Sequence, residues 1–365
     1  MKTNKKKSLK DIADELNLSI STVHRALNGY GRINKETKSL ILKKAEEFGY
    51  EANLAARALA SGKKIKLCFI YPDTPFYADI VRGARQAEKE LSIYGLTVDY
   101  KTTESYSAIQ QSEVLNRIIE DMNAEGDTGT KTLYDGIGIP PAHPILLNPL
   151  FHRLRKGGTK IVTFDNDAPE SKRSYFIGQN SYVAGKTSAQ IYASVLPKGS
   201  TVALMASFVS ALGLRKRTEG FLEEATGLGL NVIGPFEYND RIEDAYDMSK
   251  QVIITNNVDA LFTNSMYGSI GCARAIEETG NSGKIFMTGF DLDDEIARQI
   301  NNGTIYATIH QSPYLQGYYT VKTLYERCSG KGPHATGDKK HDVKYIKSYI
   351  ILKSNLEEFL KEEYL

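Results

Sequence analysis

The 365-residue sequence predicts a chain of the α/β class, with a small all-α head followed by a two-lobed body of parallel sheets. Three observations carry this expectation. Residues 8–28, SLKDIADELNLSISTVHRALN, read as two short helices joined by a tight turn. From residue 65 onward, short apolar runs alternate with helical segments, the pattern of parallel strands covered by helices on both faces. About ten such units are too many for one sheet, so two similar lobes are expected.

In the head, Leu9, Ile12, Ala13 and Leu16 fall at i, i+3, i+4 and i+7, one apolar face of a helix. Asn17 and Leu18 form the turn. Ser19 is placed as the N-cap of the second helix, with Thr22 three residues on. Val23, Ala26 and Leu27 make that helix's inner face. Ile20, Ser21, His24 and Arg25 then point outward from its start, the part of a helix-turn-helix that meets base edges. Asn28-Gly29-Tyr30-Gly31 reads as a turn. Residues 35–48 read as a third helix with Leu40, Ile41, Ala45 and Phe48 inward. Residues 53–61, NLAARALAS, are small and helix-prone, with Asn53 as cap. A helix so short is marginal in water and is expected to order on a partner. Gly62-Lys63-Lys64 reads as a linker.

In the body, strands are expected at 65–71 (bounded by Pro72), 97–100, 136–139, 161–164, 201–206, 231–236, 259–263 and 284–288. Helices are expected at 78–94, 107–122, 147–156, 181–195, 214–228, 242–255 and 267–280. Open sheets of this kind bind ligands at the carboxyl ends of strands. The residues there are Asp73-Thr74-Pro75-Phe76-Tyr77, Asp165-Asn166-Asp167, Gln179-Asn180, Asn264-Ser265, Asp291 and Gln311. Carboxylates, amides and flat rings together suit a sugar, whose hydroxyls donate and accept and whose C–H faces stack on rings. Each position alone reads equally well as a turn residue; the set of strand ends together points to a site. The C-terminal NLEEFLKEEYL is amphipathic enough for a short helix, without the sustained heptads of a coil.

Composition bounds the function. The chain is 41% hydrophobic and 25% charged, which permits a large core. The net charge of +2 conceals an asymmetry. Residues 1–64 carry 14 Lys/Arg and 7 Asp/Glu, whereas the remainder carries 32 and 37. A basic head on an acidic body calls for a polyanionic partner at the head only. Taken alone, Lys5-Lys6-Lys7 is more simply a solvated tail. Cys68, Cys272 and Cys328 are far apart and odd in number, so no disulfide framework is implied and buried thiols in a reducing compartment are expected. No apolar run follows the early lysines and no stretch of about 18 apolar residues occurs, so neither a signal peptide nor a membrane partner is expected, and the cytoplasm is the expected location. The sequence contains no GxSxG, HExxH or GxxxxGK[ST] motif, and its six histidines show no metal-ligand spacing. His310, beside Gln311, reads as a packing residue near the cleft.

On these residues the sequence resembles the LacI/GalR-type transcriptional regulators, whose body is similar to periplasmic ribose-binding proteins. The resemblance covers nearly the whole chain. It rests on LKDIADELNLSISTVHRALN, on GY at 49–50 and on NLAARAL at 53–59. In the body it rests on PFY at 75–77, DNDAP at 165–169, RKRTEGF at 215–221, GFD at 289–291 and ATIHQSPYLQG at 307–317. It implies a helix-turn-helix domain over 1–52, a hinge helix and linker over 53–64, and an effector-binding and dimerisation domain over 65–365. The two lobes would be about 65–178 plus 312–340 and about 179–311 plus 341–365.

The resemblance also implies roles. Ile20, Ser21 and Arg25 would read bases, Arg25 through the bidentate contact that guanine favours. Thr22 and Asn28 would meet the DNA backbone, and His24, at a position where Ser is common, would donate to a phosphate. Leu59 would wedge between base pairs in the minor groove and bend the duplex; Ala52 replaces the proline usual before the hinge helix. In the body, Phe76 and Tyr77 would stack on a sugar ring, and Asp165 and Asp291 would accept pairs of hydroxyl hydrogens. Asn180, Arg217, Asn264 and Gln311 would complete the cage. Thr74 and Asn166 stand where Asn and Arg are usual, and the missing cation weakens the case for a phosphorylated ligand. Arg217 beside carboxylates reads alternatively as a structural ion pair. The expected protein is a homodimeric repressor, without cofactor, metal or catalysis, that binds pseudo-palindromic double-stranded operator DNA and answers to a sugar or sugar-like effector held between the lobes. Two other readings remain open: a sugar-binding transport component, and a carbohydrate enzyme with a regulatory head that uses Asp165 and Asp167 as a carboxylate pair.

Overall fold

The computed structural model describes residues 9–28, 33–48, 64–124, 132–207, 210–330 and 342–361. The chain divides into two compact units, Met1–Lys63 and Lys64–Leu365.

The first unit contains α1 (Leu9–Glu15), α2 (Ile20–Asn28) and α3 (Lys35–Glu47). Ile12, Ala13, Val23, Ala26, Ile41 and Ala45 form its core, with Leu16, Leu18, Ile33 and Phe48 at the edge. The turn after α1 closes as a Schellman motif. Asn17 takes a left-handed φ of 49°, Leu18 N donates to Ala13 O at 2.9 Å and Asn17 N to Asp14 O at 3.3 Å. The terminal carbonyls of α1 are thereby satisfied, and the chain is turned directly into α2. Ser19 caps α2 as expected, its Oγ accepting from Thr22 N at 3.1 Å. Asn34 does the same for α3, its Oδ1 accepting from Glu36 N at 2.9 Å. Leu40 departs from expectation: it is 52% exposed. The buried stripe of α3 runs through Ile41, Ala45 and Phe48, and Leu40 lies about 100° off that stripe. The expected hinge helix and linker at 53–64, the turn at 29–31 and Leu59 fall outside the described residues, apart from Lys64.

The body is built from two sheets of one design. The first holds β1 (Ile65–Pro72), β2 (Leu96–Thr103), β3 (Gly136–Ile139), β4 (Lys160–Phe164), β5 (Tyr175–Gly178) and β11 (Val343–Tyr345), in the order β11-β5-β4-β3-β1-β2. The second holds β6 (Thr201–Ser207), β7 (Asn231–Tyr238), β8 (Ala260–Thr263), β9 (Phe286–Phe290), β10 (Ala307–His310) and β12 (Tyr349–Leu352), in the order β12-β10-β9-β8-β6-β7. Within each, the first five strands follow the doubly wound order 2-1-3-4-5, whose ligand crevice lies at the carboxyl ends where strand order reverses. The last strands differ: β11 joins β5 in parallel, whereas β12 joins β10 antiparallel.

Helices cover both faces of each sheet. The first lobe carries α4 (Pro75–Ser92), α5 (Ala108–Ala124), α6 (Pro144–Lys156) and α12 (Pro313–Cys328). The second carries α7 (Ser181–Val195), α8 (Leu212–Gly227), α9 (Ile242–Thr255), α10 (Met266–Glu278), α11 (Asp294–Asn302) and α13 (Leu356–Leu360). The lobes exchange helices: the chain leaves β5 for α7 in the second lobe and leaves β10 for α12 in the first. Each exchanged helix packs closely on the first helix of its new lobe. A Cβ at Gly317 would lie 1.7 Å from Ile80 O, and one at Gly185 2.0 Å from Arg217 O, so only glycine admits this approach. Buried apolar clusters fill both faces of both sheets.

Three differences from the sequence reading bear on the site. β2 and β7 run to Thr103 and Tyr238, beyond the expected ends at 100 and 236. Polar residues after Tyr100, and Pro235 on the edge strand β7, break the apolar signal without breaking the strand. The short strands β5 and β10 and the helix α12 carried too little periodic signal to be read individually. The second lobe was expected to take residues 341–365, yet Val343–Tyr345 extends the first sheet beside β5, so the third crossing lies at 346–348. The exposed edge of β5 supplies unpaired backbone groups that recruit this segment.

Candidate functional site

In the head, Ile20, Ser21 and Arg25 lie exposed at and after the start of α2, and Thr22 is half-buried. The Ser19 hydroxyl lies 2.9 Å from that of Ser21 and 2.8 Å from that of Thr22, which orders this turn. Arg25 Nε donates to Ser21 O at 3.2 Å, so the guanidinium folds back over the helix start. His24 and Asn28 belong to α2, but their side chains lie outside the described residues.

In the body, a cavity of about 290 Å³ opens where the strand ends of the two lobes face each other. The aspartates that end β4 and β9 are structural counterparts. Asp165 and Asp291 both take left-handed backbone angles, φ 59° and 64°. Each donates its N–H to the neighbouring strand, Asp165 to Ile177 O and Asp291 to Ile309 O, both at 3.0 Å. Aspartate tolerates this conformation better than most residues, and such strained positions gather at functional sites.

The polar groups are positioned by one another. Tyr77 Oη donates to Asp165 Oδ2 at 2.9 Å, and Asn166 Nδ2 donates to the same oxygen at 2.9 Å. Asn166 Oδ1 accepts from Gly213 N at 2.8 Å, a bond from the first lobe to the second. Arg217 is buried on α8, with Nη1 donating to Asn264 O at 2.7 Å and Nη2 to Gln179 Oε1 at 2.8 Å. Its partners are neutral oxygens, one of them on Gln179 where the chain crosses between lobes, and its guanidinium lies 4.0 Å from the Phe290 ring. Gln311 Nε2 donates to Asp291 Oδ2 at 3.2 Å and is itself held by Gln316. Burial raises the Asp165 carboxyl to about 6, against the opposing pull of Tyr77 and Arg217. It raises Asp291 to about 7, with Arg217 again opposing. Burial also raises Asp240 and lowers Arg217.

The cavity brings together Thr74, Phe76, Tyr77, Asp165, Asn166, Arg217, Asp291 and Gln311. Phe76 packs against the cores of both lobes, whereas the Tyr77 ring is buried and stacks on Tyr106 at 6.4 Å. Asn180 and Asn264 do not line the cavity. Asn180 is the N-cap of α7, its Oδ1 accepting from Val183 N at 3.3 Å. The Asn264 side chain ties β6 to α8 through Ser207 N at 2.9 Å and Thr218 Oγ1 at 3.0 Å; only its carbonyl serves the site, through Arg217. Asp167 forms no carboxylate pair with Asp165 across the cavity. It is bound to the Arg173 guanidinium, with Nη2 at 2.7 Å from its Oδ2, and to the Thr163 hydroxyl. His310 packs on Phe359, and burial lowers it to about 4.

The sequence reading missed Ser105, Tyr106, Asp240 and Tyr267, which also line the cavity. Tyr106 and Asp240 follow β2 and β7, the strands whose ends were placed too early. Among the described residues no cluster of His, Cys, Asp and Glu is arranged to hold a metal. No helix there is long and apolar enough to cross a membrane.

Two like lobes meeting at a polar cleft of strand ends define the class of two-lobed ligand-binding bodies, here following a helix-turn-helix head on one chain. Residues 65–332 match the periplasmic binding protein domain, and residues 8–53 match the bacterial regulatory proteins of the lacI family. The chain belongs to the lacI family of transcriptional regulators, with a periplasmic binding protein domain as its body. The ribose import binding protein RbsB of Escherichia coli is 23% identical over 274 residues, 74% of this chain and 86% of that protein. The HTH-type transcriptional regulator RegA of Clostridium saccharobutylicum is 30% identical over 118 residues, 31% of this chain and 36% of that protein. The regulator AglR of Rhizobium meliloti is 45% identical over 65 residues, 18% of each chain. A solute binding protein of an ABC transporter from Burkholderia graminis, solved in complex with D-arabinose, superposes with a TM-score of 0.72 at 21% identity, covering 80% of this chain and 97% of that one.

Proposed function

We propose that this protein is a repressor that binds operator DNA through its head and a sugar or sugar-like effector in the cavity of its body. The observation that carries the reading is the pairing, on one chain, of an exposed helix start bearing Ile20, Ser21 and Arg25 with an enclosed cavity holding Asp165, Arg217, Asp291 and Gln311. Two homodimer subunits would each read one half of a pseudo-palindromic operator in the cytoplasm, mirroring the dimer's two-fold symmetry. Hinge segments near Leu59 would order on the DNA and open its central step. Effector binding would hold the lobes closed through contacts such as Asn166 to Gly213 and alter the surfaces that lead to the hinge. DNA and effector then influence each other's binding by the same factor.

The body favours binding over turnover. Asp167, the second carboxylate of the enzyme reading, is occupied by Arg173. The head favours regulation over transport, since a transport component has no use for a recognition helix.

The test has two steps. Thermal unfolding of the full-length dimer is screened against free pentoses, hexoses, polyols and sugar phosphates. A selective binder at about 100 times its dissociation constant adds about 2.7 kcal/mol. Operator binding is then measured with and without that compound. A selective shift together with a changed operator affinity is the expected result. A binder that leaves operator affinity unchanged, or a chain that ignores every compound, overturns the reading.

A further inference from the structure

The cavity's charges do not balance. Asp165, Asp240 and Asp291 all line it, and Arg217 is the one buried cation among the described lining residues. Arg241 also reaches the rim, but it is exposed, with Glu243 3.9 Å away. Each carboxylate weakens its neighbours' ionisation, since Asp165 feels Asp240 and Asp291 feels both. Removing ions from water without partners costs several kcal/mol apiece, so the excess negative charge calls for a cation or for protons.

The unpartnered atoms say more. Asp291 Oδ1 accepts no hydrogen bond from the described protein, and Asp291 itself is only 4% exposed; Asp240 has the Ser265 and Ser207 hydroxyls beside it. Arg217 Nε is buried without an acceptor. A ligand that donates to carboxylate oxygens and accepts from a guanidinium complements this lining. An ammonium group carries three donors and no acceptor, which matches the carboxylate side. A hydroxyl supplies the acceptor for Arg217. The remaining walls include Phe76, Tyr106 and Tyr267, whose ring faces attract a cation.

We propose that this cavity selects a sugar-sized polyol bearing a protonated amine over its neutral parent. The inference rests on the sugar-effector reading above and narrows the ligand to amino sugars and molecules like them. Asp240 and Asp291 take the ammonium, and Arg217 orients a hydroxyl at the other end. A neutral sugar in the same place leaves the excess carboxylates facing hydroxyl groups only.

The experiment is calorimetric titration of the full-length protein at pH 7 with D-glucosamine, D-galactosamine and D-mannosamine. Each is compared with its neutral parent and its N-acetyl derivative, which keeps the size and removes the charge. At least one amine is expected to bind about tenfold tighter than both neutral counterparts, an advantage of a size that one desolvated charge contact supplies. Asp240→Asn should reduce amine affinity by a larger factor than parent affinity. If a parent or N-acetyl sugar binds as well as its amine, or if Asp240→Asn weakens both equally, the proposal is overturned while the sugar reading stands. If neutral sugars bind and no amine does, the result is the same. If neither these compounds nor those of the wider screen bind, both fall. The wild-type comparison decides even where the variant does not fold.

Discussion

Replacing Asp291 by asparagine should stabilise the ligand-free protein, increasingly so as pH rises from about 4 to 7. Burial raises this carboxyl from 3.8 to about 7. Each tenfold change in proton affinity corresponds to about 1.4 kcal/mol, so holding Asp291 ionised costs the fold roughly 4 kcal/mol, to order of magnitude. The sign follows from linkage. Between the unfolded value near 3.8 and the folded value near 7, the folded state holds the extra proton, so stability falls as pH rises through that window. Above pH 7 the full cost is present, and below about pH 4 it vanishes because both states are protonated. Asparagine has the same shape, tolerates the left-handed φ of 64° and keeps an oxygen to accept from Gln311. Removing one of three carboxylates still leaves Arg217 with Asp165 and Asp240. The chain has no tryptophan, so circular dichroism is the suitable signal. Urea unfolding of both proteins between pH 4 and 8.5 should give curves that coincide at low pH and separate by about 2–4 kcal/mol at pH 8. A variant equally or less stable than wild type at pH 8, or a gain independent of pH, would refute the claim that burial dominates this site. The variant should also lose effector binding.

Other expectations follow from single contacts. Arg25→Ala should cost about 1–3 kcal/mol in operator binding and relax specificity at one base; a gel-shift comparison showing equal loss on random DNA removes it from base reading. Asn180→Ala should lower stability by about 1 kcal/mol through the lost cap of α7, with effector affinity unchanged in calorimetry. A large loss of affinity would return Asn180 to the site. Gly317→Ala places a Cβ 1.7 Å from Ile80 O and should cost at least about 1–3 kcal/mol by forcing α4 and α12 apart. An unchanged melting temperature would mean that the helices adjust freely.

The candidate site was partly legible because strand ends are chemically conspicuous. Phe164-Asp165 and Phe290-Asp291 each place a carboxylate directly after a buried aromatic, and both carboxylates line the cavity. Arg217 was legible only through the resemblance, since an arginine beside carboxylates reads equally as a structural ion pair. Tyr106 and Asp240 escaped because a polar residue or a proline near a strand's end looks like its termination. Asn180 and Asn264 were misplaced for a different reason. An asparagine after a strand looks alike as a helix cap, a loop tie or a ligand, and only its hydrogen-bond partners separate the three roles.

What the sequence determined by itself was local. The Asn17-Leu18 turn, the Ser19 cap, the strand–helix alternation and the positions of Asp165 and Asp291 all follow from neighbouring residues and their periodicity. What the tertiary structure alone decided was which polar groups face one another. The helix exchange between lobes carries Arg217 to Gln179, and the crossing at 346–348 keeps Val343–Tyr345 in the first sheet. Closure around the cavity gathers three carboxylates about a single buried arginine. These results depend on distances between residues far apart in the chain and on the loss of water around them. Periodicity reports neither, and both set the charge that a ligand must meet.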